Sequence, residues 1–279
     1  MVLEVLELGF MQRALIAGVA IAITTSVVGL FLVLRRNSLF GDALSHVAFG
    51  GIAVGLVANV YPLWTGVAFS VLGALGITKL RQSAKIPADA TVAVLLASGL
   101  ALGLLLFSLS GQLFNISSYL FGSILVVSME DTLAILAMAG AILAIVILLY
   151  RQLVYVTFDE EQAKVSGLPI SKLNYLFVVL ASVAVIVSMR LVGILLVSAL
   201  IVIPNITALL LGKGFKKTAL ISVGISIFSV VTGIAVSYAA NLPPAATIVI
   251  VSIVMLLATL AAKYSSKRQM EEKLEVVRS

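Results

Sequence analysis

The chain's single histidine, His46, stands four residues after Asp42. On a helix that spacing puts both side chains on one face. An imidazole and a carboxylate converging there suit a divalent cation such as zinc, manganese or iron. The same pair admits a plainer role, with Asp42 capping a helix N-terminus and His46 an interfacial aromatic. Ionisable groups at the centre of a span cost about 2.5–3.5 kcal/mol each on insertion scales, which favours function if the pair lies deep. A second polar feature runs from Phe158 through Asp159, Glu160, Glu161, Ala163, Val165 and Gly167 to Pro169. Its acidic start and Gly-Leu-Pro stop describe a short capped helix, either seated in a cytoplasmic partner or simply connecting two spans. A third, Pro204-Asn205-Ile206-Thr207, interrupts an apolar run. Proline removes a backbone hydrogen bond there, and Asn205 and Thr207 can reoccupy the freed groups. The bent helix lines a pore, or it is only kinked.

These residues sit in a chain of 279 residues that is 62% hydrophobic and 11% charged, with mean hydropathy +1.22. Soluble domains carry about 45–50% apolar and about 25% charged residues, so a soluble fold is excluded. With no cysteine, disulfides, thiolate metal sites and cysteine nucleophiles are excluded too. One histidine cannot build a multi-histidine metal site within one chain. Gly212-Lys213-Gly214 is a faint echo of a phosphate loop without its spacing or its Ser/Thr, and no HExxH occurs. No catalytic set is visible, and the chain is not expected to hydrolyse ATP itself.

A membrane span needs about 20 apolar residues. Nine such stretches are readable, at 14–34, 44–60, 63–80, 90–109, 132–150, 173–188, 192–211, 219–240 and 246–262. A shorter stretch, 119–127, is expected to be a re-entrant or interfacial helix. With the N-terminus outside, every Lys and Arg except Arg13 and Arg190 falls on the inner side. The positive-inside rule is then nearly fully met, and the net charge of +6 reflects topology rather than nucleic acid. Glu4 and Glu7 precede the first basic residue, unlike the start of a cleaved signal peptide. Gly51-x3-Gly55 and Gly99-x3-Gly103 are expected to let helices pack closely inside one bundle. The fold class is an all-α polytopic membrane protein: one transmembrane domain over residues 1–279, with 263–279 a cytoplasmic tail.

Five blocks, in order, resemble the membrane permeases of ABC importers for zinc, manganese or iron. They are Arg35-Arg36-x-Ser38-x-x-Gly41-Asp42-Ala43-x-Ser45-His46; Asp89-Ala90 with Ala101-Leu102-Gly103; Ser117-Ser118-Tyr119-Leu120-Phe121-Gly122-Ser123; Asp159-Glu160-Glu161-x-Ala163-x-Val165-Ser166-Gly167; and Val192-Gly193-x-Leu195-Leu196-Val197 followed by Ile203-Pro204. Two departures stand out. Asn205 replaces a small residue, and Pro243-Pro244-Ala245 replaces a Pro-x-Gly turn.

The resemblance implies a homodimer in the cytoplasmic membrane of a prokaryote, with the fold of vitamin B12-type importers. It also implies two cytoplasmic ATPase subunits and an extracytoplasmic metal-binding protein. The chain would be a non-enzymatic subunit with no permanently bound cofactor, its cargo the divalent metal. By the same analogy Asp42 and His46 line the metal path. Asp159, Glu160, Glu161, Ala163, Val165 and Gly167 form the ATPase-coupling helix, and Pro204, Asn205 and Thr207 lie on a pore helix. The competing expectation is an ATPase-independent secondary transporter or channel for divalent cations, with Asp42 and His46 as a proton-coupled relay. It leaves the 159–167 loop unexplained.

Overall fold

The computed structural model describes residues 9–84, 87–110, 116–122 and 128–278. Lipid offers the backbone no hydrogen-bond partners, so long apolar runs satisfy their own groups as helices. Among the described residues no strand occurs. The helices are α1 Gly9–Leu34, α2 Phe40–Val57, α3 Pro62–Ala84, α4 Ala88–Ser110, α5 Ile116–Phe121, α6 Met129–Leu148, α7 Tyr150–Phe158, α8 Glu160–Val165, α9 Ile170–Val192, α10 Val197–Leu210, α11 Phe215–Ala240 and α12 Pro244–Arg278. Among the described residues eight, namely α1, α2, α3, α4, α6, α9, α11 and α12, are long and apolar enough to cross a membrane.

The apolar stretch at 192–211 differs from its expected single span. α9 runs on through Val192, and Gly193 turns the chain with φ +75°. A 3₁₀ turn, Ile194–Leu196, then precedes α10. Fourteen residues of α10 rise only about 21 Å, short of a hydrocarbon core of about 30 Å. Hydropathy is blind to this break because Leu191, Val192, Ile194, Leu195, Leu196 and Val197 on either side of Gly193 are all apolar. Of the 119–127 stretch, α5 covers the start, against the backbone at Gly193. Residues 123–127 lie outside the described ones. At the C-terminus α12 extends unbroken through the expected tail to Arg278.

α2 is the most enclosed helix, held between α3 and α4 by small residues. Gly51 and Gly55 face Phe69 and Thr65 of α3, while Gly99 and Gly103 of α4 face His46 and Phe49 of α2. Phe49 stacks on Phe107 with ring centroids 4.9 Å apart. The other half of the bundle gathers around α1, packed on α6, α9, α10 and α11. Near the C-terminal end of α1, Phe31 packs against Phe177 and Phe215, at 6.0 and 5.3 Å.

Candidate functional site

α2 begins at Phe40, one turn before the apolar run starts. Its N-cap is Leu39, with no side-chain capping bond, so Asp42 lies in the first turn and is not the cap. The level of that turn follows from its neighbours. Gly41 abuts the side chains of Ile201 and Val185. Val185 is about 22 Å along α9 from Ile170 at 1.5 Å per residue. Val47 packs on Gly73, midway along the 23 residues of α3. The carbonyl of His46 packs on Gly99, midway along the 23 residues of α4. The pair is therefore level with the middle of the bundle, although Asp42 precedes the apolar stretch 44–60 and His46 stands at its start. Seating Gly41 against α9 and α10 is what hydropathy does not register.

His46 Nε2 and Asp42 Oδ1 are 3.9 Å apart, too far for a hydrogen bond. Two metal–ligand bonds of about 2.1 Å each span that gap. His46 is 6% exposed, and its Nδ1 is buried without a hydrogen-bond partner. An unsatisfied buried polar atom costs about 1–3 kcal/mol, which a closed structural site would not leave standing. Among the described residues no group of three or more His, Asp or Glu side chains gathers within this chain. The pair itself holds one imidazole and one carboxylate.

The 159–167 segment is a helix with both ends sealed. Asp159 is the N-cap of α8, its side chain accepting the Gln162 amide at 2.9 Å. At the other end Gly167 takes φ +80°, the left-handed conformation that glycine adopts without strain. Leu168 N–H donates to the Ala163 carbonyl (3.2 Å) and Gly167 N–H to that of Lys164 (3.0 Å), the paired bonds of a Schellman stop. Ala163 is the inward foot of α8, fully buried with Val156 and Leu173. Glu160 and Glu161 are exposed, and Val165 is 90% exposed. Glu160 turns back to accept the Asn174 amide at 3.1 Å, and Glu161 and Val165 are left on the outer face.

Pro204, Asn205 and Thr207 are all buried within the protomer. The Asn205 amide donates to the Ile201 carbonyl at 2.7 Å, and its oxygen accepts the Ser222 hydroxyl at 2.7 Å. Ser222 in turn shares a 2.7 Å hydrogen bond with Ser26 of α1. Thr207 donates to the Ile203 carbonyl at 2.8 Å. The departure at 205 is therefore spent on joining α1, α10 and α11. At the other departure, Thr247 closes the proline turn by donating to the Pro244 and Gly233 carbonyls at 2.8 Å.

With this geometry in place, the pattern of the ABC 3 transport family matches residues 7–263. The chain belongs to the ABC 3 transport family. It is 34% identical over 256 residues to a probable metal transport system membrane protein of Treponema pallidum, covering 92% of this chain and 96% of that one. To the manganese transport system membrane protein MntC of Listeria monocytogenes it is 30% identical over 273 residues, covering 96% and 98%. A solved structure of PsaBC from Streptococcus pneumoniae in complex with Fab superposes with a TM-score of 0.84 at 30% identity, covering 92% of this chain and 94% of that one. This ABC 3 family member is thus a membrane protein whose fold and length match those relatives throughout.

One cluster escaped the sequence. Arg35, counted there as an inner-side charge and as the head of the first resembling block but not as a site residue, lines a cavity of about 470 Å³ with Asn37, Thr157, Glu160, Asn174 and Phe177. Burial pushes its guanidinium below the ordinary value and the nearby Glu160 carboxylate raises it again. The group stays charged, as arginine does in proteins. Its partners lie 122 and 139 residues away. No local spacing signals such contacts.

Proposed function

We propose that this chain is the membrane-spanning permease subunit of an ABC importer that moves a divalent metal ion (zinc, manganese or iron) across the cytoplasmic membrane of a prokaryote. In this reading two copies pair, two cytoplasmic ATPase subunits supply the energy, and an extracytoplasmic metal-binding protein delivers the cargo. The chain is not itself an enzyme and keeps no permanent cofactor. The observation that carries the proposal is the Asp42–His46 pair, placed at mid-bundle with Nε2 and the carboxylate 3.9 Å apart and not hydrogen-bonded to each other. Two protomers supply two carboxylates and two imidazoles, a set that suits a borderline metal and is loose enough to release it. The name of the Listeria relative favours manganese as the first ion to test.

α8 enters the proposal as the ATPase contact. Asp159 and Gly167 fix its ends, Ala163 seats it, Glu161 and Val165 present its outer face, and Glu160 turns inward to Asn174. α10 backs the metal path, since Ile201 touches Gly41 beside Asp42. Pro204, Asn205 and Thr207 belong to that backing wall and are not ligands.

The test is metal accumulation in proteoliposomes holding the permease with its ATPase subunits. Manganese uptake that needs ATP and stops with a hydrolysis-deficient ATPase is expected. Uptake by the permease alone, driven by a proton gradient, would overturn the proposal in favour of a secondary transporter.

A further inference from the structure

The turn between α1 and α2 carries the residue that ties the cytoplasmic face to the metal-path helix. Arg35 follows α1 directly and stands five residues before Phe40, where α2 begins. Its Nε donates to Thr157 Oγ1 of α7 at 3.0 Å, and its Nη1 donates to Asn174 Oδ1 of α9 at 2.9 Å. The guanidinium lies 4.5 Å from the centre of the Phe177 ring. Asn174 passes the contact on, its Nδ2 donating to Glu160 Oε1 at 3.1 Å. Glu160 is the first residue of α8.

The turn itself is tightly bonded. Asn37 N–H donates to the Leu32 carbonyl at 2.9 Å and Phe40 N–H to the Asn37 carbonyl at 3.1 Å. A displacement of Arg35 therefore reaches the first turn of α2, where Asp42 lies. The planar guanidinium makes two directional bonds at once, which a lysine ammonium does not reproduce. Its Nη2 is buried with no hydrogen-bond partner, a spare donor for a second register of the same contacts.

We propose that the relay Glu160–Asn174–Arg35 transmits movement of α8 to the helix that carries Asp42 and His46. Arg35 and Asn174 are positioning residues and touch no metal. The relay rests on α8 being the ATPase contact, as proposed above.

The test uses the complete transporter, permease with ATPase, in proteoliposomes with manganese. Asn174→Asp keeps an acceptor for Arg35 but sets a carboxylate against Glu160. ATPase co-purification and ATP hydrolysis stay at the wild-type level, while manganese moved per ATP falls about tenfold, the scale of one lost charge-assisted bond. Arg35→Lys gives the same split. Adding Glu160→Gln to Asn174→Asp restores a donor facing the new carboxylate, and coupling returns to within about twofold of wild type.

Three results overturn the relay: unchanged coupling in Asn174→Asp, parallel loss of hydrolysis and uptake, or no rescue by the second substitution. Wild-type uptake that needs no ATPase overturns the reading of α8 itself, and the relay with it. ATP-driven wild-type uptake with an indifferent Asn174→Asp variant overturns the relay alone.

Discussion

Between α1, α10 and α11 the Asn205 amide is closed on both sides, donating to Ile201 and accepting from Ser222, which reaches on to Ser26. About as deep in the bundle, Asp42 and His46 face each other across 3.9 Å without a hydrogen bond, and one imidazole nitrogen has no partner. Asn205 and His46 are buried and Asp42 is about a quarter exposed, and the two regions resolve the cost differently. The first answers each group from inside the protomer, so it holds helices together. The second leaves the His46 Nδ1 without a partner and the pair unbonded, as the proposed metal role requires of a site that takes and releases its cargo. A polar residue in a span is thus a poor guide to function until its partners are counted.

Breaking the open pair has the largest expected effect. Asp42→Asn and His46→Ala each remove a ligand, and metal affinity should fall by more than about a hundredfold, beyond the range seen for outer-shell changes. Manganese uptake in proteoliposomes should be abolished, while co-purification with the ATPase and the melting temperature in detergent stay near wild type. Acidification should mimic the loss in the wild-type protein, since both ligands bind metal only when deprotonated. Uptake at the wild-type rate in the double variant would remove the metal role.

The pair's adjacency was legible in the sequence because four-residue spacing fixes a helical face. Its depth was not. Apolar counting starts α2 at residue 44 and misses that the helix begins at Phe40, with Gly41 already against Val185 and Ile201. The ends of α8 were legible from Asp159 and Gly167, whose types dictate a cap and a left-handed stop. Asn205 could be read as pore-lining or as kink filler, because a sealed amide and an exposed one look alike until Ser222 and Ser26 arrive from other helices. Arg35 and Asn174 illustrate the same limit, since only tertiary structure joins residues so far apart.

An intermediate effect is expected from moving the pair without touching it. A Cβ at Gly99 would stand 2.6 Å from the His46 carbonyl, a backbone clash that no rotamer relieves. Gly99→Val should push α4 off α2, costing about 1–3 kcal/mol as overpacking does, and lower uptake through the displaced imidazole. Gly140→Val is the control, because the same atom there meets nothing within 4 Å. Comparing their melting temperatures and uptake rates isolates the contact. Equal uptake in both would show that His46 does not need its seat on α4.

The smallest effect should come from the closed network, and its size is what sharpens the contrast. Asn205→Ala removes both amide bonds, but Ser222 keeps Ser26 and the Ile201 carbonyl remains within its own helix. Hydrogen bonds between membrane helices average about 0.6 kcal/mol and reach about 1.7 kcal/mol, because the unfolded chain in lipid also finds partners. The side chain is fully buried and leaves a small cavity as well, so a loss of about 1–2 kcal/mol is expected. Thermal unfolding in detergent should show it as a drop of a few degrees. Uptake per folded molecule should stay at the wild-type level, since Asn205 holds α10 against α1 and α11 without meeting the metal. Lost uptake in a stably folded Asn205→Ala protein would place the amide on the path, and the two polar regions would then share one function.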